Sequence, residues 1–294
     1  MNRKFSSPVA FRQALEQRLK NLARRRGVPL QTLRLKLAIE RLLARLFQPS
    51  RPPWLLKGGY AMELRYRPQA RTTKDIDLSV SGPIGISDRE VLMARIREDL
   101  QEVAAADLDD FMTYRIAGAS MHLQGAPRGG ARFPVESRMA GRVFERFHVD
   151  VGVGDALVGT PEQLLGDDLL EFAGIAPATA RAVPRAQQFA EKIHAYTLPW
   201  TDRTNTRSKD LVDISLLLER DTPDPTAVKA ALNATFTTRG SHPLPELLPQ
   251  PPAAWASEYA TMAEEIGLRA ATLQAAYAVL SGYWMMNALG TFTE

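Results

Sequence analysis

The 294-residue chain contains no cysteine. Disulfides and thiolate-held metal sites are therefore excluded, and a cytoplasmic protein of a reducing compartment is the expectation. Met1 to Phe11 has no apolar core of the kind a signal peptide needs, so export is not expected. Long apolar runs are missing as well. The most apolar window, Leu273 to Gly290, is interrupted by Gln274, Ser281 and Asn287 and barely reaches the length that spans a bilayer. It reads as a buried C-terminal helix, and no membrane partner is expected. Repeats and low-complexity tracts are also absent. What is left is 45% hydrophobic and 24% charged, the composition of an ordinary folded protein. Its length suits roughly two domains.

Charge is distributed unevenly. Residues 1–51 hold thirteen Lys and Arg against Glu16 and Glu40, a net +11, whereas the remainder has 24 basic and 31 acidic residues. A basic segment of this kind points to a polyanion, with Arg24, Arg25 and Arg26 as the candidate RNA contacts. Ser7-Pro8 reads as an N-cap followed by proline in the first turn, with Phe11, Leu15, Leu19 and Leu22 at helical spacing up to Gly27. A second helix is expected from Thr32 to Phe47, stopped by Pro49, Pro52 and Pro53. Its Arg34, Lys36, Arg41 and Arg45 lie off or beside the apolar stripe, and the basic helical pair is expected to pack on the next unit and leave a positive surface exposed.

The chemistry is concentrated in Lys57-Gly58-Gly59 through Asp75-Ile76-Asp77-Leu78. Trp54-Leu55-Leu56 reads as a strand, the glycines break it, and a helix from Tyr60 to Arg67 precedes a second strand. Residues two apart on a strand face the same side, so Asp75 and Asp77 present two carboxylates to one point. Such a pair suits Mg²⁺, with Mn²⁺ as the other ion, because Mg²⁺ takes few protein oxygens and completes its shell with water and substrate phosphates. The glycines allow backbone to approach a phosphate at a helix start. This combination reads as nucleotidyl transfer from an NTP.

Further along, Ser87-x-x-Glu90 has the form of a capping box for a helix carrying Val91, Ile96, Leu100 and Val103. Alternation from Phe111 to Val151 predicts three or four antiparallel strands. Among apolar neighbours near a strand end, Asp150 needs a metal or hydrogen-bond donors and is the candidate third carboxylate. After Asp155 the sequence is expected to be helical, with a boundary near Gly159-Thr160-Pro161. The expected segments are thus 1–51, 52–158 and 159–294. A helix from Pro184 to Tyr196 carries Lys192, a candidate phosphate ligand. Another begins near Arg207-Ser208-Lys209 and puts Asp210 and Asp213 on one face of its first turn. Helices are expected at Thr226–Phe236, Ala253–Glu265 and Leu268–Ala288.

Four groups of residues, in this order, resemble the AbiEii/AbiGii-type nucleotidyltransferase toxins, which include the mycobacterial MenT toxins. They are Lys57-Gly58-Gly59 with Ala61 and Leu64-Arg65-Tyr66; Arg71-x-Thr73-Lys74-Asp75-Ile76-Asp77-Leu78; Ala190-Glu191-Lys192-x-His194-Ala195; and Arg207-x-Lys209-Asp210-x-x-Asp213. The resemblance implies an α+β fold, a polymerase-β-like nucleotidyltransferase core with a helical C-terminal lobe. It implies Mg²⁺ on Asp75 and Asp77, with Asp150 as the third carboxylate. Lys57, Gly58, Gly59, Lys192, Lys209 and Asp213 would bind the nucleotide, and Asp210 would complete the catalytic set. It further implies NMP transfer to RNA, with tRNA 3′ ends the expected acceptor, arrest of translation, and a winged-helix antitoxin as partner. Gly59 departs from the serine that many nucleotidyltransferases carry there. Competing readings are a drug-modifying nucleotidyltransferase, a kinase toxin, and a silent nucleic-acid-binding module.

Overall fold

The computed structural model describes residues 5–48, 53–80, 85–123, 125–199 and 207–291. The prolines expected to stop the second helix at 49 and 52, the turn expected at 81–83 and residues 204–206 of the expected polar loop lie outside them. The chain divides into two compact units. The first comprises Met1–Leu56, Lys74–Val153 and Gln163–Arg181, and the second Lys57–Thr73, Gly154–Glu162 and Ala182–Glu294. The N-terminal helices, expected to pack on the core, share a unit with the sheet, and residues 57–73, expected within 52–158, group with the C-terminal helices.

In the first unit, α1 (Pro8–Arg26) starts where the Ser7 hydroxyl accepts from the Val9 and Ala10 N–H groups, and it ends at Gly27 in the left-handed conformation. Phe11, Leu15, Leu19 and Ala23 form its buried stripe. α2 (Leu30–Leu46) is buried over most of its circumference. Strands β1 (Trp54–Lys57), β2 (Asp75–Val80), β3 (Met112–Ile116), β4 (Met121–Leu123), β5 (Gly130–Met139), β6 (Arg142–Val153), β7 (Glu162–Leu165) and β8 (Thr179–Ala182) make one mixed sheet. Its order is β3-β5-β6-β2-β1-β8-β7, with β4 paired to β5. Helix α4 (Arg89–Ala104) follows β2, and its cap is Asp88, whose carboxylate accepts from Val91 N–H at 2.9 Å. The expected capping box at Ser87 is thus displaced by one residue, because a carboxylate satisfies the first-turn N–H groups and favours the helix dipole.

One face of β5 and β6 carries Phe133, Val135, Phe147, Val149 and Val151, all buried. Tyr114 of β3 donates to the Ala38 carbonyl of α2, and Gln31 of α2 donates to Glu145 of β6, so the α2 layer covers that face. By alternation, Arg132, Pro134 and Glu136 of β5 and His148 and Asp150 of β6 stand on the opposite face. β7 and β8 correct the expectation of helix after Asp155. Each has four residues, too few for alternation to separate a strand from a turn.

The second unit begins with α3 (Gly58–Tyr66). It continues with α5 (Arg185–Thr197), α6 (Ser208–Arg220), α7 (Pro225–Arg239), α8 (Ala256–Ile266) and α9 (Leu273–Met286). Phe189, Ile193, Leu211, Ile214, Leu217, Leu232, Tyr259, Leu280 and Trp284 are among its core residues. α9 buries Leu280, Tyr283 and Trp284 but exposes Met285 and Met286, so it is amphipathic rather than wholly buried. No helix among the described residues is long and apolar enough to cross a membrane.

The basic N-terminal segment differs from expectation. Arg41 and Arg45 are buried and both bond Asp110, Arg34 pairs with Glu16, and Lys36 and Arg26 pair with Asp167. Long-range acids therefore neutralise most of α2, and the exposed basic residues of the helical pair lie on α1. Arg24 and Arg25 remain exposed.

Candidate metal and nucleotide-binding residues

Parallel pairing of β2 with β6 sets Asp75 opposite His148 and Asp77 opposite Asp150, while antiparallel pairing of β5 with β6 sets Arg132 opposite Asp150. All of these residues share the sheet face away from α2. Arg132 grips Asp150 with two hydrogen bonds of 2.7 Å, Nε to Oδ1 and an Nη to Oδ2, and that same Nη lies 3.4 Å from Asp75 Oδ2. His148 Nδ1 is 3.4 Å from Asp75 Oδ1. The hydrogen bonds to Asp150 hold the guanidinium firmly in its charged form. Asp150 is therefore satisfied by an arginine 18 positions upstream, a partner that inspection of Asp150's immediate neighbours does not suggest.

In the second unit, the Lys192 ammonium is buried and donates to Asp210 Oδ1 at 2.8 Å and to Asp213 Oδ2 at 2.6 Å. Burial alone would lower its affinity for the proton, but the two carboxylates outweigh that and raise it, so the charge persists. Arg71 bonds Asp213 through two N–H groups, each at 3.0 Å. Asp213 thus lies between Lys192 and Arg71. Its burial favours the neutral acid, yet these two cations hold its pKa below the ordinary value. Lys209 is exposed beside this centre, and Arg207 reaches Asp210 at 3.6 Å.

Gly59 is fitted to the same centre. A Cβ there would lie 3.0 Å from an Arg71 nitrogen and 3.1 Å from Thr73 Oγ1, so side chains occupy the space a serine would need. Thr73 N–H in turn donates to Glu63 at 3.2 Å. Gly58 takes a positive φ of 63°, which suits glycine, and its carbonyl accepts from Gln188 at 2.6 Å. Gly59→Ala is expected to cost about 1–3 kcal/mol through overpacking against an arginine that cannot move without leaving Asp213. Urea denaturation of the two proteins measures it.

Lys57 is drawn into a different cluster. It pairs with Asp155 and lies 3.6 Å from Glu191, while Arg239 bonds Asp155 Oδ1 at 2.8 Å. Burial would raise the Asp155 pKa, but Lys57 and Arg239 prevail and lower it to about 2. Because the folded pKa lies below the unfolded one, this carboxylate stabilises the protein above about pH 4, and the contribution is lost as pH falls toward 2. Asp155→Asn is therefore expected to flatten the loss of stability across that interval in acid-dependent denaturation curves. His194, from the same motif as Lys192, has a structural setting. Burial and nearby Arg239 hold its pKa down to about 3, and the ring contacts Ser241 Oγ at 2.9 Å.

Asp75, Asp77 and Asp150 thus come together in the first unit. Gly59, Lys192, Asp210 and Asp213 come together in the second, joined by Arg71, which was not expected among the site residues. Arg24, Arg25 and Arg26 stand apart on α1, in the helix layer. Among the described residues no group of three or more His, Asp and Glu side chains forms a ready metal cage. Asp75 and Asp77 nevertheless supply the hard oxygens Mg²⁺ takes, in the small number it requires of a protein.

Among curated proteins none matches the sequence. MenT4, a nucleotidyltransferase toxin from Mycobacterium tuberculosis H37Rv, has a similar structure. It covers 88% of this chain and 92% of its own with a TM-score of 0.52 at 17% identity. This shows that the fold is shared. An antigenic nucleotidyltransferase-like protein from Paracoccidioides brasiliensis aligns over 70% of this chain and 88% of its own at 14% identity. Its TM-score is 0.36. The model of the nucleotidyl transferase AbiEii toxin family, type IV toxin–antitoxin systems, matches residues 41–279, which include all four motifs. On that match the chain belongs to the AbiEii family and is a nucleotidyltransferase toxin of the type IV kind.

Proposed function

We propose that this nucleotidyltransferase transfers a nucleoside monophosphate from an NTP to the 3′ end of an RNA, tRNA being the expected acceptor, and thereby arrests translation until a cognate antitoxin, expected to be a winged-helix protein, counters it. The observation that supports the reading best is the carboxylate set Asp75, Asp77 and Asp150, aligned in register on one sheet face.

Asp75 and Asp77 would hold Mg²⁺, and Asp150 would join them or take the proton of the attacking hydroxyl. A bound Mg²⁺ supplies charge neutralisation of the triphosphate and of the leaving pyrophosphate. Lys192 has three N–H donors, two of them directed at Asp210 and Asp213, and the third suits a phosphate oxygen. Asp210 and Asp213 would hold that ammonium charged and oriented. Gly58 and Gly59 would let backbone N–H groups approach the nucleotide, with Lys209 as an outer cation. The Lys57 ammonium is engaged by Asp155 and Glu191, so its contribution would be to fix the start of α3 rather than to grip phosphate directly.

Arg24 and Arg25 are exposed, whereas Arg26 is shared with Asp167, so the proposed N-terminal RNA contact rests mainly on the first two. Replacing both with glutamate is expected to lower labelling of RNA by each α-labelled NTP about five- to tenfold at moderate salt, with less effect at low salt. Unchanged labelling would remove this segment from the RNA path. Label appearing only on small-molecule acceptors would refute RNA as the substrate.

A further inference from the structure

Arg132 contacts two members of the carboxylate set, Asp75 and Asp150, and lies outside all four motifs. Three features define its position. It sits across from Asp150 in the β5–β6 register, so the backbone pairing itself delivers the guanidinium to that carboxylate. It uses two donors on Asp150, both at 2.7 Å, the paired geometry in which arginine binds carboxylate most strongly. It then reaches Asp75 Oδ2 at 3.4 Å, so one guanidinium spans carboxylates on two different strands.

A divalent cation taking Asp75 together with Asp150 would need oxygens that Arg132 already engages. Two cations cannot share them without strong repulsion, and arginine does not shed its proton to relieve it. His148, beside Asp75 at 3.4 Å, adds a further positive charge there only when it is protonated. The face is also open enough for exchange. The Arg132 side chain is 30% exposed and that of Asp75 36%, so the guanidinium can swing away without disturbing the core.

We propose that Arg132 is a resident counter-ion that competes with the divalent cation for Asp150 and Asp75, and that it yields when the triphosphate of an incoming NTP offers it another anion. The inference rests on the reading of Asp75, Asp77 and Asp150 as metal ligands. It assigns Arg132 as a positioning residue: it keeps the carboxylates neutralised and aligned before the nucleotide arrives, and it makes metal loading depend on nucleotide. On this account, metal affinity of the nucleotide-free protein is held down by the protein's own side chain.

The test is Mn²⁺ titration of the nucleotide-free protein, followed by electron paramagnetic resonance of the free ion, in wild type, Arg132→Gln, Arg132→Met, Arg132→Lys and Asp77→Asn. Loss of the guanidinium in Arg132→Gln or Arg132→Met is expected to tighten Mn²⁺ binding about tenfold or more, and Arg132→Lys, which keeps the charge, is expected to stay within about threefold of wild type. A residue needed only to maintain structure would not improve metal binding when removed. Circular dichroism establishes which variants are folded, and the methionine variant, which keeps most of the stem, serves if glutamine disturbs the sheet. Equal or weaker binding in the folded neutral variants, alongside measurable wild-type binding that Asp77→Asn reduces, overturns the inference and leaves the metal site standing. No binding by any of the proteins overturns the metal reading and the inference with it.

Discussion

Asp77→Ala is expected to lower nucleotidyl transfer by about a thousandfold or more while leaving the melting temperature within a few degrees of wild type, or slightly above it. Loss of a carboxylate that faces Asp150 in register removes one of the two oxygen donors placed side by side on β2. The carboxylates left on that face, Asp75 and Asp150, do not make up for it, since Arg132 already engages both. Stability should suffer little in parallel, because three like charges on adjacent strands repel, and Arg132 still bridges Asp75 and Asp150 when Asp77 is removed. A site kept for chemistry at some cost to stability shows this separation of the two effects. Initial rates of label transfer and a thermal melt, on the same preparations, check both halves. A large fall in melting temperature would mean that Asp77 holds the sheet together rather than serving the reaction.

Asp110→Ala is expected to be the most damaging substitution for stability, at about 3–5 kcal/mol, or roughly a 10 °C fall in melting temperature. Asp110 is fully buried and accepts from Arg45 at 2.8 Å on each oxygen and from Arg41 at 2.7 Å. Burial opposes its ionisation, but the two arginines prevail and hold its pKa below the ordinary value. Its removal strands two buried guanidiniums. Arg45 would keep the carbonyls of Arg41, Ala106 and Met112, but the two N–H groups that Asp110 accepts from would lose their acceptor and its charge would lose its counter-ion. The exposed Arg95–Asp99 pair on α4 provides the contrast. Asp99→Ala there is expected to cost less than about 0.5 kcal/mol. Guanidinium denaturation of the two variants measures the difference, and equal effects would contradict the assignment of Asp110 as the buried anchor of α2.

How far the sequence could be read depended on how local each feature is. The Asp75-x-Asp77 alternation is a property of four neighbouring residues, so the strand and the shared facing of the two carboxylates were legible together. Ser7-Pro8 and Gly27 likewise mark α1 within a turn of its ends. The short strands β7 and β8 were not legible, because four residues between turns carry no period. The charge of α2 was misleading for the opposite reason. Arg41 and Arg45 look like surface cations until Asp110, more than sixty positions away, is folded against them. Arg132 and Arg71 belong to the same class: each meets its carboxylate only through strand pairing or helix packing that no short window contains. Gly59 shows a middle case. Its departure from serine was visible in the sequence, and its reason, the space taken by Arg71 and Thr73, was not.

The central claim, transfer of NMP to RNA rather than of a terminal phosphate, is tested most directly by paired labelling. The protein is incubated with Mg²⁺, tRNA and an NTP carrying label at the α-phosphate in one reaction and at the γ-phosphate in the other, for each of the four NTPs. Label is expected on the tRNA 3′ end from at least one α-labelled NTP and not from its γ-labelled counterpart, and the signal is expected to be lost in Asp77→Ala. Label transferred from the γ-position, or no transfer to RNA from any NTP, would contradict it.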